Sequence, residues 1–302
     1  MTVFKRIGAF IMLIVSFFNV LFSGYVKYLP RNRIFLDQYY TDARTERQTY
    51  DLVIPKDASG STGLVLCIHG GGWTGGSRDS YTGSLMQMSD EFHHAVAAVN
   101  YRYVSDTVSF DDEMDDISAA LAAIKAKGKE HGVDFDRVLL TGISAGGHLS
   151  LLYAYTRRDT APVRPVCVVE LCGPADLEHE FYYSDENSIS QAVGAEYLRN
   201  IIANGVKHPI SLDDFDAARP ALKQYSPINF VDETTVPTVF GHGEQDEIVP
   251  YQNALDLDKK LTEYGVEHTF VSFPNSGHAC QDKPAMARVM SLFFEYADQY
   301  LN

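Results

Sequence analysis

The stretch Leu139-Leu140-Thr141-Gly142-Ile143-Ser144-Ala145-Gly146-Gly147-His148 decides the fold. An apolar run leads into it, and a helical pattern of apolar residues follows at once. Strand, sharp turn and helix form the setting in which Gly-x-Ser-x-Gly presents a nucleophilic serine. The two glycines leave room where backbones crowd the turn, and the helix N-terminus favours developing negative charge. Because the pattern is short, a glycine-rich turn with an incidental serine is the alternative.

Buried apolar runs alternate with amphipathic helical segments on both sides of this stretch. The predicted strands cover residues 49–54, 64–68, 95–99, 137–140, 166–171, 236–240 and 269–273. The predicted helices lie near residues 83–92, 111–131, 189–202, 254–264 and 285–296, with one more directly after Ser144. This alternation predicts one α/β domain over residues 29–302, with a mostly parallel central sheet flanked by helices. Residues 29–47 are polar and are expected to form a tether or a surface turn.

The alternation of apolar strand and amphipathic helix segments becomes irregular between about residues 174 and 227, where Asp, Glu, Asn and aromatic residues are frequent. We interpret this segment as a small cap insertion over the carboxyl ends of the strands, where open α/β sheets bind ligands. Trp73, Tyr182 and Tyr183 are the candidates for lining a substrate pocket, with Phe181 beside the two tyrosines. The alternative is that these tyrosines pack the cap onto the domain.

Residues 7–26 form an apolar run behind Lys5 and Arg6. Twenty helical residues span about 30 Å, the thickness of a bilayer core. Residues 1–28 are therefore predicted to be a membrane anchor or a signal segment, and the protein to be membrane-anchored or exported, with its orientation open. A buried N-terminal helix is the remaining alternative.

Charge and cysteine content exclude some classes of function. The net charge is −15, and residues 1–33 hold five of the 25 basic residues and none of the 40 acidic ones. The chain after residue 33 is therefore strongly acidic, which disfavours nucleic acid as a partner. The four cysteines (Cys67, Cys167, Cys172 and Cys280) show no C-x-x-C spacing, and we expect neither a structural disulfide nor a metal site.

A serine nucleophile needs a base, and the base needs an orienting acid. His278 directly follows the last predicted strand, and Asp246 follows the strand before it. The order Ser144, Asp246, His278 is the one that α/β-hydrolases use, so these three are the predicted catalytic residues. Glu244 and Glu247 are the rival acids.

The glycine run after the second predicted strand, His69-Gly70-Gly71-Gly72, offers unobstructed backbone N–H groups. Gly71 and Gly72, together with Ala145 after the serine, are the predicted oxyanion-hole donors. His69 is expected to brace the loop. The spacing Gly70-x-Gly72-x-x-Gly75 also fits a dinucleotide-binding loop, but no acid to hold a ribose ends the next strand.

Four motifs in register resemble one known group of enzymes. They are His69-Gly-Gly-Gly-Trp73, Gly142-Ile-Ser-Ala-Gly-Gly-His148, His242-Gly-x-x-Asp246-x-x-Val-Pro250 and Gly277-His278. Together they are similar to the esterase/lipase group of α/β-hydrolases, which includes hormone-sensitive-lipase-like and feruloyl/acetyl-xylan-esterase-like members. The resemblance implies cleavage of carboxylic esters through an acyl-enzyme on Ser144, without cofactor or metal. Ile143 stands where many hormone-sensitive-lipase relatives carry an acid, which favours the small bacterial esterases.

The leading hypothesis is thus a serine carboxylesterase for small or sugar-linked esters. Three alternatives stay open: an arylformamidase-like amide hydrolase, a peptidase of the prolyl-oligopeptidase type, and a non-catalytic, membrane-tethered binding module.

Overall fold

The computed structural model describes residues 32–60, 62–183, 195–211 and 214–302. The expected anchor over residues 7–26 lies outside this part of the chain. Among the described residues, no helix is both long enough and apolar enough to cross a bilayer.

Every strand predicted from the sequence is present, and from residue 64 onward strands alternate with helices. The strands are β1 (Arg33–Tyr39), β2 (Thr49–Ile54), β3 (Leu64–Ile68), β4 (Ala95–Val99), β5 (Arg137–Ile143), β6 (Arg164–Leu171), β7 (Thr238–Gly243) and β8 (His268–Phe273). The helices are α1 (Asp79–Thr82), α2 (Leu85–Phe92), α3 (Phe110–Glu130), α4 (Ala145–Thr156), α5 (Ala195–Gly205), α6 (Phe215–Lys223), α7 (Gln252–Glu263) and α8 (Lys283–Leu301). Short 3-10 helices cover Glu180–Tyr183 and Pro227–Phe230.

The strands form one sheet in the order β1-β2-β4-β3-β5-β6-β7-β8. β1 pairs antiparallel with β2, and β2 pairs antiparallel with β4. Every other neighbouring pair is parallel, which confirms the predicted α/β class and puts the carboxyl ends of those strands at one edge. Alternate residues of the central strands enter the apolar clusters on the two faces: Leu66 packs on one side and Cys67 on the other.

The expectation for residues 29–47 was wrong over Arg33–Tyr39, which is the edge strand β1, whereas the residues from 40 to 47 do form surface turns. Buried and exposed residues do not alternate regularly along β1, because an edge strand is partly solvated and because its register shifts between Phe35 and Gln38. At the shift Asp37 has a positive φ of 54°, and its N–H donates to Asp51 on β2 (2.8 Å). Arg78 contacts Asp37 and pairs with Asp51 at 3.0 Å, so a buried ion pair secures a strand whose sequence is too polar to reveal it.

Helix α3 runs from Phe110 to Glu130, close to the predicted bounds. A capping box between Ser109 and Asp112 starts it, and Gly132 with a φ of 80° follows its end. The helix predicted over residues 189–202 is present from Ala195, and residues 189–194 lie outside the description.

The segment between β6 and β7 begins above the carboxyl end of β6 and is tied to the domain by buried polar contacts. The side-chain oxygen of Asn253, at the start of α7, accepts from the N–H groups of Ala175 and Asp176 (2.9 and 2.8 Å). The Ser226 hydroxyl accepts from the N–H of Leu177 (2.9 Å). These contacts fix both ends of the insertion relative to the sheet.

Candidate active site

Ser144 lies on a strained turn between β5 and α4. Its φ and ψ are 58° and −125°, a conformation that a non-glycine residue keeps only where the surroundings impose it. Its N–H donates to the carbonyl of Leu171 on β6 (2.8 Å). A Cβ on Gly146 would lie 2.1 Å from the carbonyl oxygen of Ile68, and one on Gly142 would lie 2.4 Å from Gly146. Both glycines are therefore required by the close approach of backbones, as predicted from the sequence.

Asp246 and His278 form a hydrogen-bonded pair at the same edge of the sheet. Asp246 follows β7 and His278 follows β8, and Oδ2 of Asp246 lies 2.7 Å from Nδ1 of His278. Both side chains are buried. Since an ionised carboxylate only accepts, Nδ1 of His278 carries the proton and Nε2 is free to take one from a nucleophile.

Asp246 is held by further donors. Its Oδ1 accepts from the N–H groups of Ile248 and Val249 at 2.8 and 2.9 Å. Nε2 of His242 lies 3.2 Å from its Oδ2 and 2.9 Å from the carbonyl of Val249. The acid is thereby fixed in one orientation toward His278.

The two members of the pair shift each other's pKa. Burial alone would raise the pKa of Asp246, but the charge of His278 and the hydrogen bonds of His242 and His278 outweigh it and hold the pKa below its usual range. Burial alone would lower the pKa of His278, but the charge and hydrogen bond of Asp246 raise it above its usual range. Asp246 therefore stays ionised and stabilises a protonated His278.

The rival acids do not occupy this position. Glu244 is exposed and accepts from the Ser272 hydroxyl (2.7 Å). Glu247 is also exposed. Of the three acids in this loop, Asp246 is the one that the structure brings to His278.

The glycine loop after β3 lies against the serine turn. A Cβ on Gly70 would come within 2.6 Å of the Ile143 carbonyl oxygen and 3.4 Å of Ser144 Cβ. Gly71 and Gly72 have φ values of 124° and 59°, a region in which glycine avoids strain. The predicted donors thus sit on a loop packed beside Ser144, and Ala145 begins α4 next to it.

His69 braces this loop, as the sequence suggests. Because arginine only donates, Nε2 of His69 accepts from Arg47 (2.9 Å), and its Nδ1–H donates to the carbonyl of Gly70 (2.9 Å). The ring stacks on Tyr101 with centroids 4.2 Å apart. Burial, and then the charge of Arg47, lower the pKa of His69 to about 3, so the ring is neutral.

The structure does not support a dinucleotide-binding site at this glycine loop, because the helix that such a site needs does not follow the glycines. In such sites the glycine loop opens directly into a helix that holds the pyrophosphate. Here α1 begins at Asp79 and has four residues, so the loop does not open a long helix.

The three pocket candidates are all buried, but they have different surroundings. Trp73 packs against Phe110 and donates its indole N–H to His148. Tyr183 donates its hydroxyl to the carbonyl of Leu177 (2.7 Å), which fits the alternative of cap packing. Tyr182 is close enough to Asp246 for that charge to raise its pKa, after the larger effect of burial. Of the three candidates, Tyr182 is the one whose pKa the charge of Asp246 raises.

Two residues that support the site, Arg47 and His148, were not predicted to do so from the sequence. Arg47 lies in the segment expected to be a tether, and His148 was noted only as part of a motif. The partners that these two residues contact are distant in sequence, so no local pattern assigns them this role. His148 lies 75 positions from Trp73, and Arg47 lies 22 from His69.

The sequence of this chain matches the model of a known protein family. The BD-FAE family model matches residues 50–261, which include Ser144 and Asp246. The chain belongs to the BD-FAE family. This match confirms the resemblance to α/β-hydrolase esterases that the four motifs indicate.

Two curated relatives of this BD-FAE chain are named as ester hydrolases. It is 28% identical over 232 residues to the probable carboxylic ester hydrolase LipM of Mycobacterium tuberculosis, covering 74% of this chain and 50% of LipM. It is 26% identical over 217 residues to esterase LipQ of the same organism, covering 72% of this chain and 50% of LipQ. The chain thus spans about half the length of these relatives.

Solved structures agree on the fold of this BD-FAE member. Esterase B from Lactobacillus rhamnosis superposes with a TM-score of 0.69 at 20% identity, covering 99% of this chain and 96% of that one. A truncated carbohydrate esterase from gut microbiota superposes with a TM-score of 0.66 at 20% identity, covering 88% and 96%. At this identity the likeness establishes the α/β-hydrolase fold.

Proposed function

We propose that the protein is a serine carboxylesterase that hydrolyses small or sugar-linked carboxylic esters through an acyl-enzyme on Ser144. The contact that carries the proposal is the 2.7 Å hydrogen bond between Asp246 and His278 at the strand edge that also presents Ser144. Membership of the BD-FAE family and the esterase names of the relatives support it.

In the proposed first step, Ser144 Oγ attacks the ester carbonyl carbon while Nε2 of His278 takes its proton. The carbonyl electrons move onto the oxygen, where the N–H groups of Gly71, Gly72 and Ala145 stabilise the negative charge. Each such donor contributes about 3–4 kcal/mol to the transition state. The tetrahedral intermediate then expels the alcohol, which receives the proton from His278.

The second step repeats the first with water as the nucleophile. His278 takes a proton from the water, the acyl group leaves Ser144 as a carboxylic acid, and the serine recovers its proton. Asp246 stays ionised throughout and stabilises the positive charge that His278 carries in both steps.

The decisive test is labelling by a fluorophosphonate probe, which reacts with an activated serine. The wild-type chain should be labelled, and Ser144→Ala should lose both the label and the hydrolysis of p-nitrophenyl acetate. Ser291→Ala, on the exposed side of α8, is the matched control and should keep both. Retained labelling of the Ser144 variant would refute the assignment.

A substrate panel separates the proposed esterase from its alternatives. We expect turnover of p-nitrophenyl acetate and butyrate, and of acetylated or feruloylated saccharides. Preferred turnover of an N-formyl arylamine would favour an arylformamidase, that of a peptide anilide a peptidase, and no turnover the binding module.

We also propose that residues 7–26 attach the enzyme to a membrane or direct its export, as their apolar run suggests. The full chain should remain in the membrane fraction after carbonate washing, or be recovered outside the cytoplasm. A chain starting at residue 32 should do neither. Recovery of the full chain in the cytoplasmic soluble fraction would contradict this.

A further inference from the structure

Two thiols meet beneath the candidate active site. Sγ of Cys172 lies 2.9 Å from Sγ of Cys280, although the residues are 108 positions apart. Both side chains are fully buried. Cys172 directly follows β6, and Cys280 lies two residues beyond His278. The pair therefore joins the strand that supports the serine turn to the loop that carries the proposed base.

This contact is close to the geometry of a covalent link. A disulfide has a sulfur–sulfur bond of about 2.0 Å, so the two sulfurs need to approach by only about 0.9 Å. The Cys172 side chain also lies close enough to His278 for the two groups to shift each other's pKa, His278 lowering that of Cys172 and Cys172 raising that of His278. A bond between Cys172 and Cys280 would consequently tie the loop just after His278 to the end of β6.

The other two cysteines provide an internal contrast. Cys67 lies on β3 opposite Thr141 of β5, and Cys167 lies on β6 opposite Leu139 of β5. A whole strand thus separates them, which places their backbones roughly 10 Å apart. That is beyond the reach of a disulfide without moving the sheet.

We propose that Cys172 and Cys280 form an intramolecular disulfide that ties the His278 loop to the end of β6. The oxidant is a low-molecular-weight disulfide. One cysteine thiolate attacks a sulfur of this oxidant and releases one thiol, which leaves a mixed disulfide on the protein. The second thiolate then attacks the protein-bound sulfur, forms the new bond and releases the second thiol. The protein loses two electrons and two protons, which appear in the two released thiols.

The burial of the pair determines when the bond forms. Thiolate is the reacting species, and burial raises the pKa of Cys172 well above that of a free thiol. Exchange in the folded protein is therefore slow in either direction. The bond forms while the chain folds in an oxidising compartment, and it then resists external reductants, as a stabilising crosslink does.

The test compares two refolding conditions of the full chain in mild detergent. One sample refolds with reduced and oxidised glutathione, and the other refolds with dithiothreitol. Thiols are counted with Ellman's reagent in guanidinium chloride, and peptides are mapped without reduction. We expect the first sample to lose two of its four thiols, to yield a Cys172–Cys280 peptide pair, and to melt on the order of 5 °C higher.

Matched variants assign the effect to this pair. Cys67→Ala combined with Cys167→Ala should keep the oxidised peptide pair and the shift in Tm, whereas Cys172→Ala should abolish both. Four free thiols after oxidative refolding, a link through Cys67 or Cys167, or equal melting of the two samples would overturn the proposal. If Cys172→Ala does not fold, the wild-type thiol count and peptide map still decide. None of these readouts uses hydrolysis, so the result is independent of the proposed esterase activity.

Discussion

The indole N–H of Trp73 donates a hydrogen bond to Nδ1 of His148 at 3.2 Å. Since the indole only donates, Nδ1 accepts, and Nε2–H of His148 donates to the carbonyl of Tyr225 at 2.8 Å. Burial lowers the pKa of His148 to about 4, so the ring is neutral. One imidazole thus connects the residue after the glycine loop, the helix behind Ser144 and the end of the cap.

Replacing Trp73 with Phe keeps an aromatic ring but leaves Nδ1 of His148 buried without its donor. An unpaired buried acceptor costs about 1–3 kcal/mol, so the free energy of unfolding should fall by that amount in a denaturant titration. We expect kcat/KM for p-nitrophenyl acetate to fall about tenfold, because the glycine loop after β3 loses an anchor. Tyr197→Phe, at an exposed cap position, is the control and should change neither quantity. Wild-type values for the Trp73 variant would show that the contact is dispensable.

Arg47 should act on catalysis through His69. Arg47→Met removes the donor to Nε2 of His69, so the ring loses one of its two fixed hydrogen bonds. We expect kcat to fall about tenfold with a smaller change in KM, because the loop with Gly71 and Gly72 is positioned less well. Arg44→Met is the matched control from the same segment and should leave both constants unchanged. Equal effects of the two variants would indicate a loss of charge rather than of loop geometry.

The pH dependence of hydrolysis should reveal the Asp246–His278 pair. The base works when neutral, and Asp246 raises the pKa of His278, so kcat/KM should increase as the pH rises through this elevated pKa. Asp246→Asn removes the charge, so the rise should move to lower pH while the maximal rate falls by about 10⁴-fold. Glu244→Gln should leave the profile unchanged. A profile that moves in the Glu244 variant instead would identify the rival acid.

The two cap tyrosines should separate into a specificity residue and a packing residue. Tyr182 lies near Asp246, so Tyr182→Ala should change the ratio of butyrate to acetate turnover by roughly threefold or more. Tyr183→Phe removes the hydrogen bond to Leu177 and should lower the free energy of unfolding by about 1 kcal/mol without changing this ratio. Unchanged preference in a stable Tyr182 variant would assign both tyrosines to cap packing.

Gly146 should tolerate no side chain. A Cβ there would lie 2.1 Å from the carbonyl oxygen of Ile68, in backbone that cannot move without disturbing β3. Gly146→Ala should therefore lower the free energy of unfolding by more than about 2 kcal/mol and abolish probe labelling. Gly60→Ala, where the added Cβ meets nothing within 4 Å, should keep both. A Gly146 variant with wild-type stability would refute the role assigned to the close approach.

Local patterns sufficed for the buried part of the sheet and for the candidate catalytic residues. The apolar runs of β3, β4 and β5 are continuous because these strands are covered on both faces, and this signal lies within a few residues. Asp246 and His278 were found because parallel strands end at one edge, so that residues following two strands must meet. Strand β1 was missed, since its polar residues are explained only by Arg78 and Asp51, which are distant in sequence.

By itself, the sequence determined the α/β class, the glycine-flanked serine turn and the order of nucleophile, acid and base, because periodicity and backbone sterics are local properties. The tertiary structure alone decided how Arg47 and His148 hold the glycine loop after β3 and that Cys172 meets Cys280. These are contacts between side chains 22 to 108 positions apart. Their formation depends on how strands and loops pack, and no local pattern in the chain records it.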